Sequence, residues 1–275
     1  WTVGYGRPPL LKMKTKTIQV DIEAAEIGQN RPATVGLVGD IKAILQQLRR
    51  SLKPEIMQME ESWPHTIQAM RAAARESAMQ GVDPAAELIH PAMLCRELSS
   101  LLPADASIVV DGGDIAGFAV LTMEALSLSS LIWIGAFGHL GVGLPFAIAG
   151  KLSNPKRPVV LITGDGAYGF SALEFDTAVR HNVPVIVVIA NDGGWGQIRR
   201  GQRRDYGRTV GVELGRVRYD IIGENLGGFG AYVEKLADLK PAFEKALASG
   251  LPACINVKTD PDTGFSGMDL PWKIT

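Results

Sequence analysis

The segments Pro158-Val-Val-Leu-Ile-Thr-Gly-Asp-Gly166 and Val185-Ile-Val-Val-Ile-Ala-Asn-Asp-Gly-Gly194 are two apolar runs that each end in an aspartate followed by glycine. Continuous apolar runs, unlike alternating ones, are typical of strands buried on both faces of a parallel sheet. The segment between them has a helical pattern, so a right-handed crossover can place the two strand ends side by side. We therefore predict that Asp165 and Asp192, 27 residues apart, meet at one edge of a sheet.

A third turn of this kind, Asp111-Gly-Gly-Asp114, ends the apolar run that begins at Ser107. Ligands of doubly wound sheets bind outside the carboxyl ends of the strands, so the three turns should converge on one site. Carboxylates bind hard divalent cations, while glycine turns and helix N-termini bind phosphate oxygens. This combination predicts a cofactor that carries a diphosphate.

Strand and helix patterns alternate from Pro91 onward, which predicts an α/β fold with a doubly wound parallel sheet in residues 91–275. Residues 1–55 are predicted to be part of a second, Rossmann-like α/β domain. Residues 56–90 are predicted to be a linker, because Pro54 and Pro64 interrupt the helical spacing between Lys53 and Gln80. The start at Trp1 lacks an initiator methionine, so we expect the chain to be part of a longer protein. In the first domain we predict strands over Lys16–Asp21 and Ala33–Val38, a helical turn or two over Ile22–Asn30, and a helix over Ile41–Leu52 capped by Asp40.

The composition excludes several classes of protein. Of the 275 residues 46% are hydrophobic, and 28 basic residues balance 29 acidic ones. Neither nucleic acid nor an anionic membrane is favoured by this charge. Cys95 and Cys254 lie in apolar surroundings and are predicted to be buried, unpaired thiols. Because no apolar run approaches about twenty residues and no signal peptide is visible, we expect a cytoplasmic protein.

The segment from Gly164 to Gly196 closely resembles the diphosphate-binding signature of thiamine-diphosphate-dependent enzymes. Gly138-His-Leu-Gly-Val-Gly-Leu-Pro145 resembles the turn and helix that precede it in acetolactate synthases, benzaldehyde lyase and 2-hydroxyacyl-CoA lyases. Ile18-Gln-Val-Asp-Ile-Glu-Ala-Ala-Glu-Ile-Gly-Gln-Asn30 resembles the second half of their central domain. The resemblance implies part of a central domain followed by a complete diphosphate-binding domain, without the pyrimidine-binding domain that carries the activating glutamate.

The resemblance also implies the ligands of a Mg²⁺ ion. These are the side chains of Asp165 and Asp192 and the carbonyl oxygen of Gly194, with phosphate oxygens and water completing an octahedron. The family usually has Asn where this chain has Asp192, and the extra negative charge leads us to expect the metal to be held at least as firmly. The implied cofactor contacts are Gly113, Asp114, His139, Leu140, Gly164, Asp165, Gly166, Ala167, Asp192, Gly194, Trp195 and Gly196. For Asp114 a helix N-cap is the alternative.

Leu140 and Gln197 are the two positions predicted to bear on catalysis. Leu140 stands where the family has a bulky apolar residue that bends the bound cofactor, with core packing as the alternative. Gln197 replaces the methionine, and Gly201 the second tryptophan, that biosynthetic acetolactate synthases carry. These departures favour a related lyase or carboligase. His139 either reaches the substrate or has a structural role.

Three further features remain open. Arg199, Arg200, Arg203, Arg204 and Arg208 form a basic cluster that either lies in a solvated loop or binds the phosphates of a coenzyme A thioester. The turn-rich segment from Thr259 to Met268 is a candidate lid. Asp21 and Gly39-Asp40 stand where relatives bind FAD or ADP.

The resemblance implies a thiamine-diphosphate- and Mg²⁺-dependent enzyme that cleaves or forms a carbon–carbon bond beside a carbonyl. Its substrate would be a 2-oxo acid, an aldehyde or a 2-hydroxyacyl-CoA, and it would be a homodimer or homotetramer. One alternative is an FAD- or NAD-dependent oxidoreductase, although no Gly-x-Gly-x-x-Gly opens a helix with an acidic residue about twenty positions on. Another is a non-catalytic cofactor-binding subunit.

Overall fold

The computed structural model describes residues 11–52, 62–124, 127 and 130–265. The chain divides into two compact units, the first ending at Met70 and the second beginning at Arg71. In the described parts, no helix has both the length and the apolar character needed to span a membrane.

The described part of the first unit contains a small parallel sheet followed by a helix, and it also includes the beginning of a second helix, described below. Strands β1 (Ile18–Asp21) and β2 (Val35–Val38) pair in parallel, and helix α1 (Ile41–Ser51) follows. Asp40 caps α1 as predicted, because its Oδ1 accepts a hydrogen bond of 2.9 Å from the backbone N–H of Ala43. The helical turn or two predicted over Ile22–Asn30 is confirmed as a single 3-10 turn, Ala24–Glu26.

Helix α2 (Ser62–Met79) occupies part of the segment that we predicted to be interrupted by prolines. Pro64 lies in its first turn, where a backbone N–H has no partner within the helix, so the proline does not break it. Pro54, the other proline of that prediction, lies outside the described residues.

The second unit alternates strands and helices. Its elements are α3 (Pro91–Leu101), β3 (Ser107–Asp111), α4 (Asp114–Thr122), β4 (Leu131–Trp133), α5 (Gly143–Ser153), β5 (Val159–Gly164), α6 (Asp165–Gly169), α7 (Glu174–Arg180), β6 (Ile186–Asn191), α8 (Gly196–Tyr206), α9 (Tyr219–Asn225), β7 (Phe229–Val233), α10 (Leu239–Ser249) and β8 (Ala253–Lys258).

The six strands of this unit form one parallel sheet in the order β4-β3-β5-β6-β8-β7. The middle strands β3, β5, β6 and β8 are almost completely buried, and separate apolar clusters pack on the two faces of the sheet. Asp111 pairs with Thr163, and Gly164 with Ala190, so the ends of β3, β5 and β6 lie level with one another. This architecture confirms the predicted doubly wound α/β fold.

Three elements were not anticipated. Strand β7 escaped notice because Gly227, Gly228 and Gly230 suggested a turn, and α9 is only 7 residues long. Helix α8 contains Arg199, Arg200, Arg203 and Arg204, which were predicted to lie in a solvated loop or to bind coenzyme A. The loop alternative is wrong for these four residues, because they lie in a helix, and Arg199 is buried. Arg203, Arg204 and Arg208 are exposed to solvent, as that alternative expected, and Arg208 lies outside the helix.

Candidate functional site

A cavity of about 130 Å³ lies at the carboxyl ends of β3, β5 and β6. All three glycine- and aspartate-rich turns contribute to its wall, as does the segment after β8. The lining residues are Pro91, Gly112, Gly113, Asp114, Ile115, Leu140, Gly164, Asp165, Gly166, Ala167, Ala190, Asp192, Gly194, Trp195, Gly196, Gln197, Ile198, Thr259, Asp260 and Thr263. Of the residues predicted to contact a cofactor, His139 alone is not part of this lining, and it is exposed.

Asp165 and Asp192 form a pair of carboxylates in this cavity. Asp165 is only 3% exposed, and its Oδ2 atom is buried without a hydrogen-bond partner in the described structure. Burial, together with the charge of Asp192, raises the pKa of Asp165 well above its ordinary value. A buried carboxylate with an unpartnered oxygen, beside the partly buried carboxylate of Asp192, is a donor set that fits a hard divalent cation.

The remaining donors for such an ion would have to come from the backbone or from a ligand. In the part of the chain that the structure describes, no group of three or more His, Cys, Asp or Glu side chains is arranged to hold a metal. Asp192 Oδ1 accepts a hydrogen bond of 3.1 Å from the N–H of Gly194, which folds the turn so that residue 194 also lines the cavity. Gly194, whose carbonyl oxygen was predicted to be the third protein ligand, therefore lies at the same cavity as the two aspartates.

Arg199 supports Asp192 from the opposite side. Its side chain is 3% exposed, and its Nη2 lies 3.2 Å from Asp192 Oδ2. The same nitrogen donates to the carbonyl oxygen of Pro261 at 2.8 Å, and Nη1 pairs with Glu213 Oε2 at 3.0 Å. Burial raises the pKa of Asp192, while the charge of Arg199 opposes that shift.

Asp114 lines the cavity, but the alternative that it is the N-cap of α4 is wrong. Gly113 occupies the N-cap position of α4, and Asp114 is the first helical residue. The Asp114 carboxylate forms an ion pair with Arg200 and also accepts a hydrogen bond of 2.9 Å from the backbone N–H of Phe265. Arg200 in turn donates to the carbonyl oxygen of Thr263 at 3.2 Å. These hydrogen bonds thus hold the described part of the candidate lid, residues 259–265, at the cavity.

Asp111 holds the loop that carries Leu140. Its Oδ2 accepts hydrogen bonds from the backbone N–H groups of Gly141, at 2.9 Å, and Gly143, at 2.8 Å. Gly141 has φ +88°, which a residue with a side chain rarely adopts. Sequence reasoning treated Asp111 only as the end of a strand. A carboxylate at the end of an otherwise apolar strand was the signal that could have revealed its role.

Close packing against glycine shapes the wall of the cavity. A Cβ atom built on Gly166 would lie 2.7 Å from Cζ3 of Trp195, so only glycine lets the indole approach this closely. On the other side of the cavity, a Cβ on Gly113 would meet the carboxamide oxygen of Gln197. These contacts bring α6, α8 and the turn after β3 together around one space.

A buried polar network supports the turn after β6. Asn191 Nδ2 donates to Asn256 Oδ1 at 3.1 Å and to the carbonyl oxygen of Val217 at 3.0 Å. Arg216 donates to the carbonyl oxygens of Asn191, at 2.7 Å, and Thr259, at 3.0 Å. Sequence reasoning missed this network, although an asparagine within the apolar run of β8 was a visible signal.

Residues 111–257 match the family model described as the thiamine pyrophosphate enzyme C-terminal TPP-binding domain. The chain is 39% identical over 236 residues to the acetolactate synthase large subunit IlvG of Mycobacterium tuberculosis, covering 86% of this chain and 42% of that protein. It is 32% identical over 259 residues to 2-hydroxyacyl-CoA lyase 2 of Caenorhabditis elegans, covering 92% and 40%. This chain therefore spans less than half the length of these relatives.

The fold is also similar to a solved structure, the thiamine diphosphate-dependent 4-hydroxybenzoylformate decarboxylase of Rhodococcus jostii RHA1. The TM-score is 0.74 at 23% sequence identity, and the match covers 92% of this chain and 46% of that one. At this identity the likeness supports the α/β fold.

Proposed function

Because the chain belongs to the thiamine pyrophosphate enzyme family, we propose that it binds the diphosphate of thiamine diphosphate together with Mg²⁺, in an enzyme that cleaves or forms a carbon–carbon bond beside a carbonyl. The observation that carries this proposal is the buried Asp165–Asp192 pair, with its unpartnered oxygen, at the point where three glycine-rich turns meet. Two buried carboxylates without a cation would repel each other, whereas a divalent ion satisfies both.

The proposed Mg²⁺ ligands are the carboxylates of Asp165 and Asp192 and the carbonyl oxygen of Gly194. In an octahedral ion this set leaves positions for phosphate oxygens and water. The backbone N–H groups of Gly166 and Ala167, in the first turn of α6, would bond the phosphate. Since the Asp114 carboxylate is already paired with Arg200, the turn at Gly113 would contribute its backbone rather than that side chain.

Thiamine diphosphate itself supplies the nucleophilic carbon and the electron sink of this chemistry when it is bound. The task of the protein is to orient the cofactor and exclude water. We assign orientation to Leu140, which lines the cavity on a loop held by Asp111. Trp195 and Ile198 add apolar surface to the same wall.

The residues around the cavity favour a lyase or carboligase with room beside the cofactor. Gln197 adds a polar carboxamide to the wall of the cavity. Gly201, at the position of the second tryptophan of acetolactate synthases, is not part of the cavity lining and brings no bulky side chain there. A 2-oxo acid, an aldehyde or a 2-hydroxyacyl-CoA is the proposed substrate. Acetolactate formation from pyruvate and cleavage of a 2-hydroxyacyl-CoA are the two assays that separate the activities named for the relatives.

We also propose that residues 1–55, 56–90 and 91–275 are part of a central domain, a linker and the diphosphate-binding domain of a homodimer or homotetramer. FAD or ADP would bind at the ends of β1 and β2, near Asp21 and Gly39. The Oδ1 atom of Asp40 caps α1, and Oδ1 of Asp21 accepts a hydrogen bond of 3.0 Å from the backbone N–H of Glu23, so a ribose hydroxyl would bond the Oδ2 atom of either carboxylate.

The test of the proposed function is mass spectrometry of the small molecules released from the denatured protein, followed by calorimetric titration with thiamine diphosphate and Mg²⁺. We expect thiamine diphosphate to be released, or to bind only when the metal is present. Asp165→Ala should abolish this binding. Release of a nicotinamide or flavin dinucleotide, with no uptake of thiamine diphosphate, would favour an oxidoreductase. Cofactor binding without turnover of either substrate class would favour a non-catalytic subunit.

A further inference from the structure

The Asp165–Asp192 pair is accompanied by one buried positive charge. Arg199 is 3% exposed, and Asp192, its partner at 3.2 Å, has a side chain that is 17% exposed. Arg200 is also close to Asp192, but its charge is matched by Asp114. The two carboxylates and Arg199 therefore carry one net negative charge between them.

Arg199 also contacts Glu213 and Pro261, and both of these attract its charge less strongly than Asp192 does. Glu213 has a side chain that is 59% exposed, so water screens its attraction to Arg199. The contact with Pro261 is to a neutral carbonyl oxygen. Of the two carboxylates that contact the guanidinium, that of Asp192 is the more shielded from water. The attraction between Arg199 and Asp192 is therefore stronger than that between Arg199 and Glu213.

We propose that Arg199 is a positioning residue of the cation site: it fixes Asp192 through Oδ2 and offsets its charge, so that the site presents the charge of a single carboxylate to the metal and the diphosphate. This inference rests on the proposed function. With Oδ2 bonded to Arg199 and Oδ1 to the N–H of Gly194, the carboxylate of Asp192 is held in one orientation toward the cavity.

The charge balance predicts how substitutions of Arg199 and Asp192 combine. Removing either partner of a buried ion pair leaves the other charge uncompensated, whereas replacing both removes the imbalance. Arg199→Met would leave an additional negative charge beside the diphosphate. Asp192→Asn keeps an oxygen ligand but leaves a buried positive charge beside the cation. The double variant restores the net charge of the unmodified site.

The experiment is a double-mutant cycle in the purified full-length protein, read by calorimetric titration of thiamine diphosphate at fixed Mg²⁺. We expect each single variant to weaken binding by about tenfold or more, as is found for residues that orient metal ligands. The double variant should recover to within about threefold of the unmodified protein, because the charge is again balanced. Arg204→Met, which removes an exposed arginine paired with Asp205 on the same helix, is the control and should bind normally.

Circular dichroism of every variant shows whether it is folded, so that a loss of binding can be distinguished from a loss of structure. If Arg199→Met does not fold, Arg199→Gln replaces it, since it is also neutral and keeps an amide donor for Pro261. A double variant that binds more weakly than both single variants would overturn the inference, because Arg199 would then act only by holding Glu213 and Pro261. Failure of the unmodified protein to bind thiamine diphosphate with Mg²⁺ would instead overturn the proposed function.

Discussion

Asp111 Oδ2 lies 2.9 Å from the backbone nitrogen of Gly141, so the end of β3 anchors the loop that carries Leu140 across the cavity. The same oxygen accepts a second backbone hydrogen bond, from Gly143. Strand β3 is buried in the sheet. The two hydrogen bonds hold the irregular segment that carries Leu140 against the end of this strand. The position of Leu140 therefore depends on a residue that itself need not touch a ligand.

The first prediction concerns this anchor. Asp111→Ala should lower the free energy of unfolding by about 1–3 kcal/mol, because the buried N–H of Gly143 and the partly buried N–H of Gly141 lose their acceptor. Turnover should fall more than affinity for thiamine diphosphate, since the loop shifts while the phosphate turns remain. Thermal unfolding and a comparison of kcat with the calorimetric Kd check these effects. Asp105→Ala, at an exposed position just before β3, should change neither the free energy of unfolding nor the turnover.

The second prediction concerns Leu140 itself. If its side chain bends the bound cofactor, Leu140→Ala should reduce kcat by about tenfold or more while changing cofactor affinity little. The measurement is kcat beside the Kd for thiamine diphosphate. An equal loss of both would favour plain packing. Leu152→Ala, at an exposed position on α5, serves as the control for loss of a leucine.

The sequence was sufficient to predict the strands that end at the cavity, because their apolar runs and glycine turns are local signals. The same is true of Asp165 and Asp192, which a short crossover brings together. By contrast, the partner of Asp114 is Arg200, 86 residues further along the chain, and no spacing rule connects them. A run of arginines on α8 resembles a solvated surface until the fold shows that Arg199 faces inward. Those contacts depend on tertiary packing.

The third prediction concerns the two cysteines. Both thiols are free and buried, as predicted from their apolar surroundings. Burial raises the pKa of Cys95 to about 12 and raises that of Cys254 further, so neither forms a thiolate near neutral pH. A thiol reagent at pH 8 should label neither cysteine in the native protein and both in denaturant. Rapid labelling of the native protein would contradict their burial.

The fourth prediction concerns the contact between Gly166 and Trp195. Because an added Cβ would lie 2.7 Å from the indole, Gly166→Ala should displace Trp195 and weaken binding of thiamine diphosphate. The matched control is Gly201→Ala in α8, where the added methyl group meets nothing within 4 Å. That change should stabilise the helix by about 0.5–1 kcal/mol and leave cofactor affinity unchanged. Calorimetric titration of both variants measures the affinity for thiamine diphosphate, and thermal unfolding measures their stability.

The last prediction concerns removal of the metal. Binding of thiamine diphosphate should be lost in EDTA, since the diphosphate would then face two carboxylates without a cation between them. Added Mg²⁺ should restore it, and cofactor and metal together should raise the Tm, because ligands that bind only the folded state stabilise it. Asp165→Ala should bind no better in Mg²⁺ than in EDTA. By contrast, Asp176→Ala, which removes a half-buried carboxylate paired with Arg180 on α7, should respond to the metal as the unmodified protein does. Full affinity in EDTA would show that the diphosphate is held by the backbone turns alone and would contradict the assignment of Asp165 and Asp192 as metal ligands.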